Sequence, residues 1–311
     1  MRIAITGATG LIGSFILKHL EGLNDHELKC LTRQTVMAGK SSHVKWISGD
    51  LTDYECIKNF ISHADCIFHL AHNSIPLGDC SFSRGMITNP LEININLIKA
   101  ISETSNKPHI IYFSSGGAIY GDWGGIGYRY SETDRCEPIT NYGIQKLTIE
   151  RLFHQAAMLG IINCTVLRVS NAYGLPLNVN KLQGLIGNAI SRVMNGQPLR
   201  LIGSINNVRD YIHVDDIANV STQLLQTDQK YRVFNVGSGE GVTVGEIFKI
   251  IMSEIGEELP VFETIAEGQQ LLPTSNILNI NKLQSELNWR PSITLSEAIR
   301  QMVLTYRNTK C

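Results

Sequence analysis

The segment from Arg2 to Gly13 limits the choice of fold more than any other part of the chain. Arg2–Thr6 is a short strand-like run that passes through Gly7-Ala8-Thr9-Gly10 straight into the helical pattern Leu11–Leu20. Gly7 permits the tight turn, Gly10 lets a pyrophosphate approach the backbone, and Gly13 lets helix pack on strand. The helix start offers free N–H groups and a positive dipole end to an anion. Glycines in this context, after a strand and opening a helix, predict a dinucleotide-binding turn. The competing reading, a glycine turn with no ligand, needs the whole context to be accidental.

The pattern that follows agrees. Strand-like runs at Leu28–Thr32, Val44–Ile47, Cys66–Leu70, His109–Phe113 and Thr165–Arg168 alternate with helical periodicity at Leu11–Leu20, Glu55–Ile61, Leu97–Glu103 and Tyr142–Leu159. Nearly all-apolar strands alternating with helices imply a parallel sheet covered on both faces, and right-handed crossovers make it doubly wound. Beyond about residue 175 the chain turns to looser Gly- and Asn-rich loops, with a strand signal at Arg232–Val236 and a helix at Val244–Ile255. The expectation is an α/β protein: a Rossmann core over 1–174 and a smaller substrate-binding lobe over 175–311. That lobe is interleaved with the last part of the sheet at about 205–240. Ligands belong outside the carboxyl ends of the strands, between the two.

Composition removes other classes. With 43% hydrophobic and 18% charged residues in 311, the chain has too much apolar material and too little net charge to be disordered. Lys and Arg number 27 against 28 Asp and Glu, for a net charge of −1, so no broad basic face is offered to nucleic acid or membrane. The seven cysteines are scattered, with no CxxC pair, which indicates neither a zinc site nor a disulfide framework. No apolar run approaches the roughly 20 residues of a membrane span. The chain opens directly on its first strand without room for a signal peptide, and a cytoplasmic location is expected.

The GxxGxxG spacing of Gly7, Gly10 and Gly13 resembles that of the extended short-chain dehydrogenase/reductases. Further matches follow in order: Asp50-Leu51, His69-Leu70-Ala71, Ser114-Ser115-Gly116-Gly117-Ala118-Ile119-Tyr120-Gly121 and Tyr142-Gly143-Ile144-Gln145-Lys146. Leu167–Gly174, Val208–Val214, Phe234–Gly237 and Leu287–Pro291 resemble the sugar-nucleotide epimerase, dehydratase and 4-ketoreductase branch, so the resemblance spans nearly the whole chain. It implies that Gly7, Thr9, Gly10, Leu11, Ile12 and Gly13 hold the cofactor pyrophosphate. Asp50 and Leu51 would meet adenine, and Leu70 and Ala71 would line the cofactor. It also implies a homodimer formed through two helices per subunit.

The end of the second strand bears on the cofactor. A carboxylate there would bind the ribose hydroxyls and repel a 2′-phosphate, but the chain reads Leu31-Thr32-Arg33. Arg33 is either a bidentate partner for that phosphate or an ordinary solvated side chain. The missing carboxylate points to NADP, with NAD as the alternative. Relatives that consume a nicotinamide stoichiometrically more often take NADPH, which favours a reductase.

Tyr142 and Lys146 stand one turn apart on a helix, on one face. A phenol there can exchange a proton with a sugar oxygen while hydride moves. Its ordinary pKa of about 10 is poorly matched to neutral pH, and a neighbouring ammonium together with a cationic nicotinamide is expected to lower it. The resemblance places Lys146 on the nicotinamide ribose. It also places a Ser or Thr hydroxyl where this chain has Gly116. Ser115 either replaces that hydroxyl or, with Ser114, serves only local backbone groups. On the first reading Gly116→Ser should be neutral or activating.

At the substrate end, the resemblance assigns Arg209 and Asn171 to a diphosphate, Lys181 with Gln183-Gly184 to the loop beside it, and Ser114 to the substrate side. Arg209 could instead pair with Asp210 or Asp215. His213 and Asp215-Asp216 read as a helix start. Relatives often carry an Arg followed three residues later by an Asp where this chain reads Gly268-Gln269-Gln270-Leu271-Leu272, so one expected phosphate contact is absent. His69 and His72 end a buried strand rather than forming a metal site, and Trp123 either stacks on a base or sugar or anchors its loop. The leading expectation is an NADP(H)-dependent reductase of a 4-keto-6-deoxyhexose nucleotide, with no metal. The alternatives are a UDP-sugar 4-epimerase with retained NAD and a non-catalytic cofactor-binding subunit.

Overall fold

The computed structural model describes residues 1–23, 25–34, 43–72, 84–175, 184–225, 230–264 and 272–310, with side chains left aside at 84–87 and 310. Seven parallel strands form the main sheet: β1 (Arg2–Thr6), β2 (Glu27–Thr32), β3 (Val44–Ser48), β4 (Cys66–His69), β5 (His109–Ser115), β6 (Asn163–Val169) and β7 (Tyr231–Val236). Their order is β7-β6-β5-β4-β1-β2-β3. The order reverses between β1 and β4, which opens a crevice at their carboxyl ends.

Alternation along the strands sends side chains into two apolar layers. Ile3, Ile5, Ile111 and Phe113 join the layer under the helices Leu11–Leu23 and Val214–Gln223. Ala4, Ile110 and Tyr112 join the other, under Tyr54–Ile61, Arg84–Ser102 and Asn141–Met158. The expected strands and helices are present, with bounds shifted by a residue or two at most of their ends. The exception is the helix expected over Leu97–Glu103, which starts at Arg84 and contains Pro90. Its polar first half carries no clear apolar stripe, and the Asn94 amide donates to the Pro90 carbonyl at 2.7 Å.

The second lobe is built from short pieces. Val242–Thr243, Val208–Arg209, Ser275–Leu278 and Arg129–Tyr130 form a four-stranded sheet. Two two-stranded sheets, Asn171–Tyr173 with Tyr211–His213 and Leu199–Ile202 with Val261–Thr264, complete it. The helices Gly184–Met194, Val244–Ile255 and Leu295–Lys310 pack a third apolar cluster that includes Ile190, Phe248 and Ile299. Among the described residues, no helix is long and apolar enough to cross a membrane.

Candidate active site

The glycine turn sits at the carboxyl end of β1. Gly7 has φ +74°, and a Cβ on it would lie 2.9 Å from the Ala71 amide. A Cβ on Gly13 would overlap the Gly7 carbonyl and stand 2.9 Å from Ala8 Cα. The turn closes with Gly10 N–H donating to the Gly7 carbonyl at 2.9 Å, while Thr9 and Gly10 stay exposed above the partly exposed Leu11 and Ile12. The first N–H groups of the helix lack intrahelical acceptors. This is a backbone cradle that side chains would fill, and its donors suit a dinucleotide pyrophosphate.

Across the crevice, Thr6 ties β1 to β4. Its hydroxyl accepts from Ala71 N–H at 3.2 Å and meets His69 Nδ1 at 2.9 Å. Burial drives His69 down to about 3 and keeps it neutral. Leu70 and Ala71 are partly exposed beside the turn. At the end of β2, Thr32 is buried and its hydroxyl accepts from Gln34 N–H at 3.2 Å, while Arg33 is exposed. Asp50 is exposed and accepts from the Thr52 amide and hydroxyl at 2.8 and 2.9 Å. Those bonds chiefly hold its carboxyl below the usual range, with a smaller pull from Arg33. Leu51 is buried in the core.

Thr140 caps the helix Asn141–Met158 by accepting from Gly143 N–H at 3.1 Å, which fixes Tyr142 in the first turn. Tyr142 is partly exposed and bonded to the Ser115 side chain. Lys146, 4% exposed, donates to the Phe113 carbonyl at 2.8 Å and lies 5.7 Å from the Tyr142 ring centre. Burial pushes the Tyr142 phenol up to about 12, against the Ser115 bond. Burial likewise brings the Lys146 amine down to about 7, against the pull of Glu150. The expected depression of the phenol pKa is therefore corrected for the protein alone. The amine is turned to a carbonyl, and its reduced charge leaves burial dominant. At neutral pH the site holds a protonated phenol beside an amine poised between its two states.

Ser115 meets Tyr142 because β5 ends there in an extended residue and the short helix Gly116–Ile119 turns the chain at once. The expectation for Gly116→Ser is overturned. A Cβ on Gly116 would lie 2.6 Å from Leu278 Cδ1 and 2.9 Å from the Arg168 carbonyl, so the added side chain collides with backbone. Ser114 is not brought to the open face: it is 4% exposed, and its Oγ has no partner among the described residues.

Asn171 lies beside this turn, with its amide donating to the Asp210 carbonyl at 2.9 Å. Arg209 pairs with neither Asp210 nor Asp215. Its guanidinium donates to the Val208 and Pro273 carbonyls, and among the described residues it has no carboxylate within ion-pair distance. Asp210 is occupied by Ser170, Ser238, Gly239 and Leu278, and Asp215 by His19. His213 caps its helix by accepting from Asp215 N–H. Trp123 anchors its loop: Nε1 donates to the Arg135 carbonyl at 3.2 Å, and its ring packs 5.0 Å from Tyr128 and 5.2 Å from Tyr130. Lys181, Gln183 and Gln269 lie outside the described residues.

Two contributors, Glu150 and Gln145, were given no role from the sequence, and His72 was read only as a strand end. Glu150 forms a buried ion pair with Arg168 at 2.8 Å and acts on Lys146 from the next helical turn. Its spacing on the face of Tyr142 and Lys146 is the signal that could have found it. Gln145, 1% exposed, bonds the His72 side chain, and the His72 ring stands 5.3 Å from that of Tyr142.

Known proteins share this arrangement of turn, sheet and helix. The chain is 30% identical over 203 residues to a dTDP-4-dehydro-6-deoxyglucose reductase of Escherichia coli, covering 64% of this chain and 61% of that protein. It is 28% identical over 319 residues, 98% of each protein, to a putative UDP-glucose 4-epimerase of Methanocaldococcus jannaschii. A solved UDP-glucose 4-epimerase of Thermotoga maritima with UDP-glucose superposes with a TM-score of 0.84 at 25% identity over 100% of both chains. That of Thermus thermophilus, in complex with NAD, gives 0.83 at 26% identity over 99% of both. A model of the NAD dependent epimerase/dehydratase family matches residues 3–237, and the chain belongs to that family.

Proposed function

We propose that the protein reduces a 4-keto group on a nucleotide-activated 6-deoxyhexose, with NADPH as the preferred donor. The observation that carries this reading is the Ser115–Tyr142–Lys146 constellation at the carboxyl edge of the sheet. A protonated phenol at neutral pH suits proton delivery to an oxygen that gains charge. Gly7 to Gly13, Thr32, Arg33, Asp50, Leu51, Leu70 and Ala71 would hold a nicotinamide dinucleotide, which would supply the hydride. Tyr142 donates its proton to the C4 oxygen, and Ser115 holds the phenol and polarises the carbonyl. Lys146, near its midpoint at neutral pH, balances the charge left on the phenol. Arg209, a half-buried guanidinium without a carboxylate partner among the described residues, suits the substrate diphosphate, with Asn171 beside it, and the family resemblance adds Lys181.

A 4-epimerase with retained NAD is the second reading, favoured by relatives that align along nearly the whole chain. A second copy of the chain is the proposed partner. Ile95, Ile144 and Met158 are exposed on two adjacent helices, where pairing would cover them. Incubating a panel of 4-keto nucleotide sugars with NADPH or NADH, followed at 340 nm, tests the proposal. Stoichiometric NADPH oxidation is expected. Tightly held NAD with interconversion of UDP-glucose and UDP-galactose would replace it with the second reading. Arg33→Ala should weaken NADPH binding by about 1.5–3 kcal/mol while leaving NADH unchanged. Equal affinity for both cofactors in the unaltered protein would remove Arg33 from the site.

A further inference from the structure

We infer that His72 is a positioning residue for Tyr142, fixing the phenol through edge-to-face contact between the two rings. The inference rests on the reading of Tyr142 as the proton donor, and its test separates the two.

His72 leaves a strand end that is clamped twice. Leu70 N–H donates to the Thr6 carbonyl at 3.3 Å, and Ala71 N–H to the Thr6 hydroxyl at 3.2 Å. From there its imidazole reaches the first turn of the helix Asn141–Met158. The ring centres of His72 and Tyr142 are 5.3 Å apart with an interplanar angle of 79°, an edge-to-face geometry. The same imidazole is bonded to the side chain of Gln145, which is 1% exposed and stands between Tyr142 and Lys146 in sequence. One ring thus joins the strand end to the catalytic turn of the helix.

The environment argues for position rather than proton transfer. Burial, with Lys146 and His69 nearby, drives the imidazole down to about 2, so it stays neutral and adds no second cation beside Lys146. The Tyr142 phenol is hydrogen-bonded to the Ser115 side chain. A phenol hydrogen-bonded at its oxygen can still swing about its Cα–Cβ bond and carry that oxygen away; a ring packed against its own limits the swing. A small displacement of a catalytic group costs up to about 100-fold in rate.

The test compares His72→Ala, His72→Phe, Tyr142→Phe and the His72→Ala/Tyr142→Phe double variant. The probes are dTDP-4-keto-6-deoxyglucose with NADPH and UDP-glucose with NAD. His72→Ala should lower kcat about 10- to 100-fold at unchanged KM and cofactor affinity, and His72→Phe should recover most of it by restoring a ring. In the Tyr142→Phe background, His72→Ala should cost nothing more. An unchanged kcat in His72→Ala, a change in KM alone, or a His72→Phe variant as slow as His72→Ala would overturn the inference. If Tyr142→Phe keeps its rate, or neither probe turns over, the proton-donor reading is what fails. A crystal structure of His72→Ala with NADP then decides the positioning claim by itself. A phenol turned away from Ser115 supports it, and a phenol still bonded to Ser115 overturns it.

Discussion

In the main sheet, Ile3, Ile5, Ile67, Ile111 and Leu167 are 0–1% exposed and hold their strands by apolar contact. In the second lobe, strands as short as Val208–Arg209 are held by buried polar groups that catch loops. Asp210 accepts from the Ser170 hydroxyl, from the Ser238 amide and hydroxyl, and from the Gly239 and Leu278 amides, at 2.8–3.2 Å. Asp216, on the helix Val214–Gln223 over the main sheet, takes Ser292 and Ile293 in the same way. Asn235, on the edge strand β7 of the main sheet, reaches across to this lobe: it accepts from the Tyr120 hydroxyl and donates to the Tyr130 and Asn279 carbonyls. The main sheet, with the proposed cofactor site, is thus a packed platform of repeating elements, while the second lobe, with the proposed substrate site, adds loops pinned one by one. A platform tolerates varied loops, which is how one sheet serves several chemistries on nucleotide sugars.

The sharpest way to break this contrast is Asp210→Ala. Three backbone amides lose a buried acceptor, each worth about 1–3 kcal/mol, so denaturant unfolding should show at least about 3 kcal/mol lost. In the folded fraction the substrate KM should rise more than the cofactor Kd. The reverse order would contradict the division of labour. Gly13→Ala strikes the platform instead. Its Cβ would overlap the Gly7 carbonyl, and overpacking costs about 1–3 kcal/mol. Cofactor affinity should fall first, as read by fluorescence titration, and an unchanged affinity would show that the turn is not a close-packed cradle.

A smaller effect of opposite sign is expected for Lys146→Met. The amine is held at about 7 against an ordinary 10.5, so the folded protein binds fewer protons than the unfolded chain between those values. Its contribution to stability is complete above pH 10.5 and is lost as pH falls through about 7. Removing the buried charge should abolish turnover yet raise stability at pH 6 by about 1–3 kcal/mol. Thermal unfolding at pH 6 and pH 9 checks this. A variant that gains no more at pH 6 than at pH 9 would mean the amine is not desolvated.

The same contrast explains what the sequence made legible. Apolar strand runs, the glycine turn and the Tyr142–Lys146 spacing are local patterns, and each is found where it was expected. The helix Val244–Ile255 is found with the same bounds. Two-residue strands such as Arg129–Tyr130 are too short to show alternation, and the partners that create them are far away in the chain. Alternation in an extended strand turns Ser115 away from the position of Gly116. Its bond to Tyr142 depends on a helical turn that starts one residue later. The misjudged Gly116→Ser outcome has a similar source, since the obstacles, Leu278 and the Arg168 carbonyl, come from strands distant in sequence. His72 looked like a strand end because its partners, Tyr142 and Gln145, lie on a helix elsewhere in the sequence.

The central claim, that the phenol on the platform delivers the proton, is tested most directly by Tyr142→Phe. Single-turnover oxidation of NADPH with dTDP-4-keto-6-deoxyglucose, set beside a cofactor titration, separates chemistry from binding. The account predicts a rate reduced by about 10²–10⁴-fold with cofactor affinity unchanged. A variant that keeps most of its rate would place proton transfer elsewhere and contradict the account.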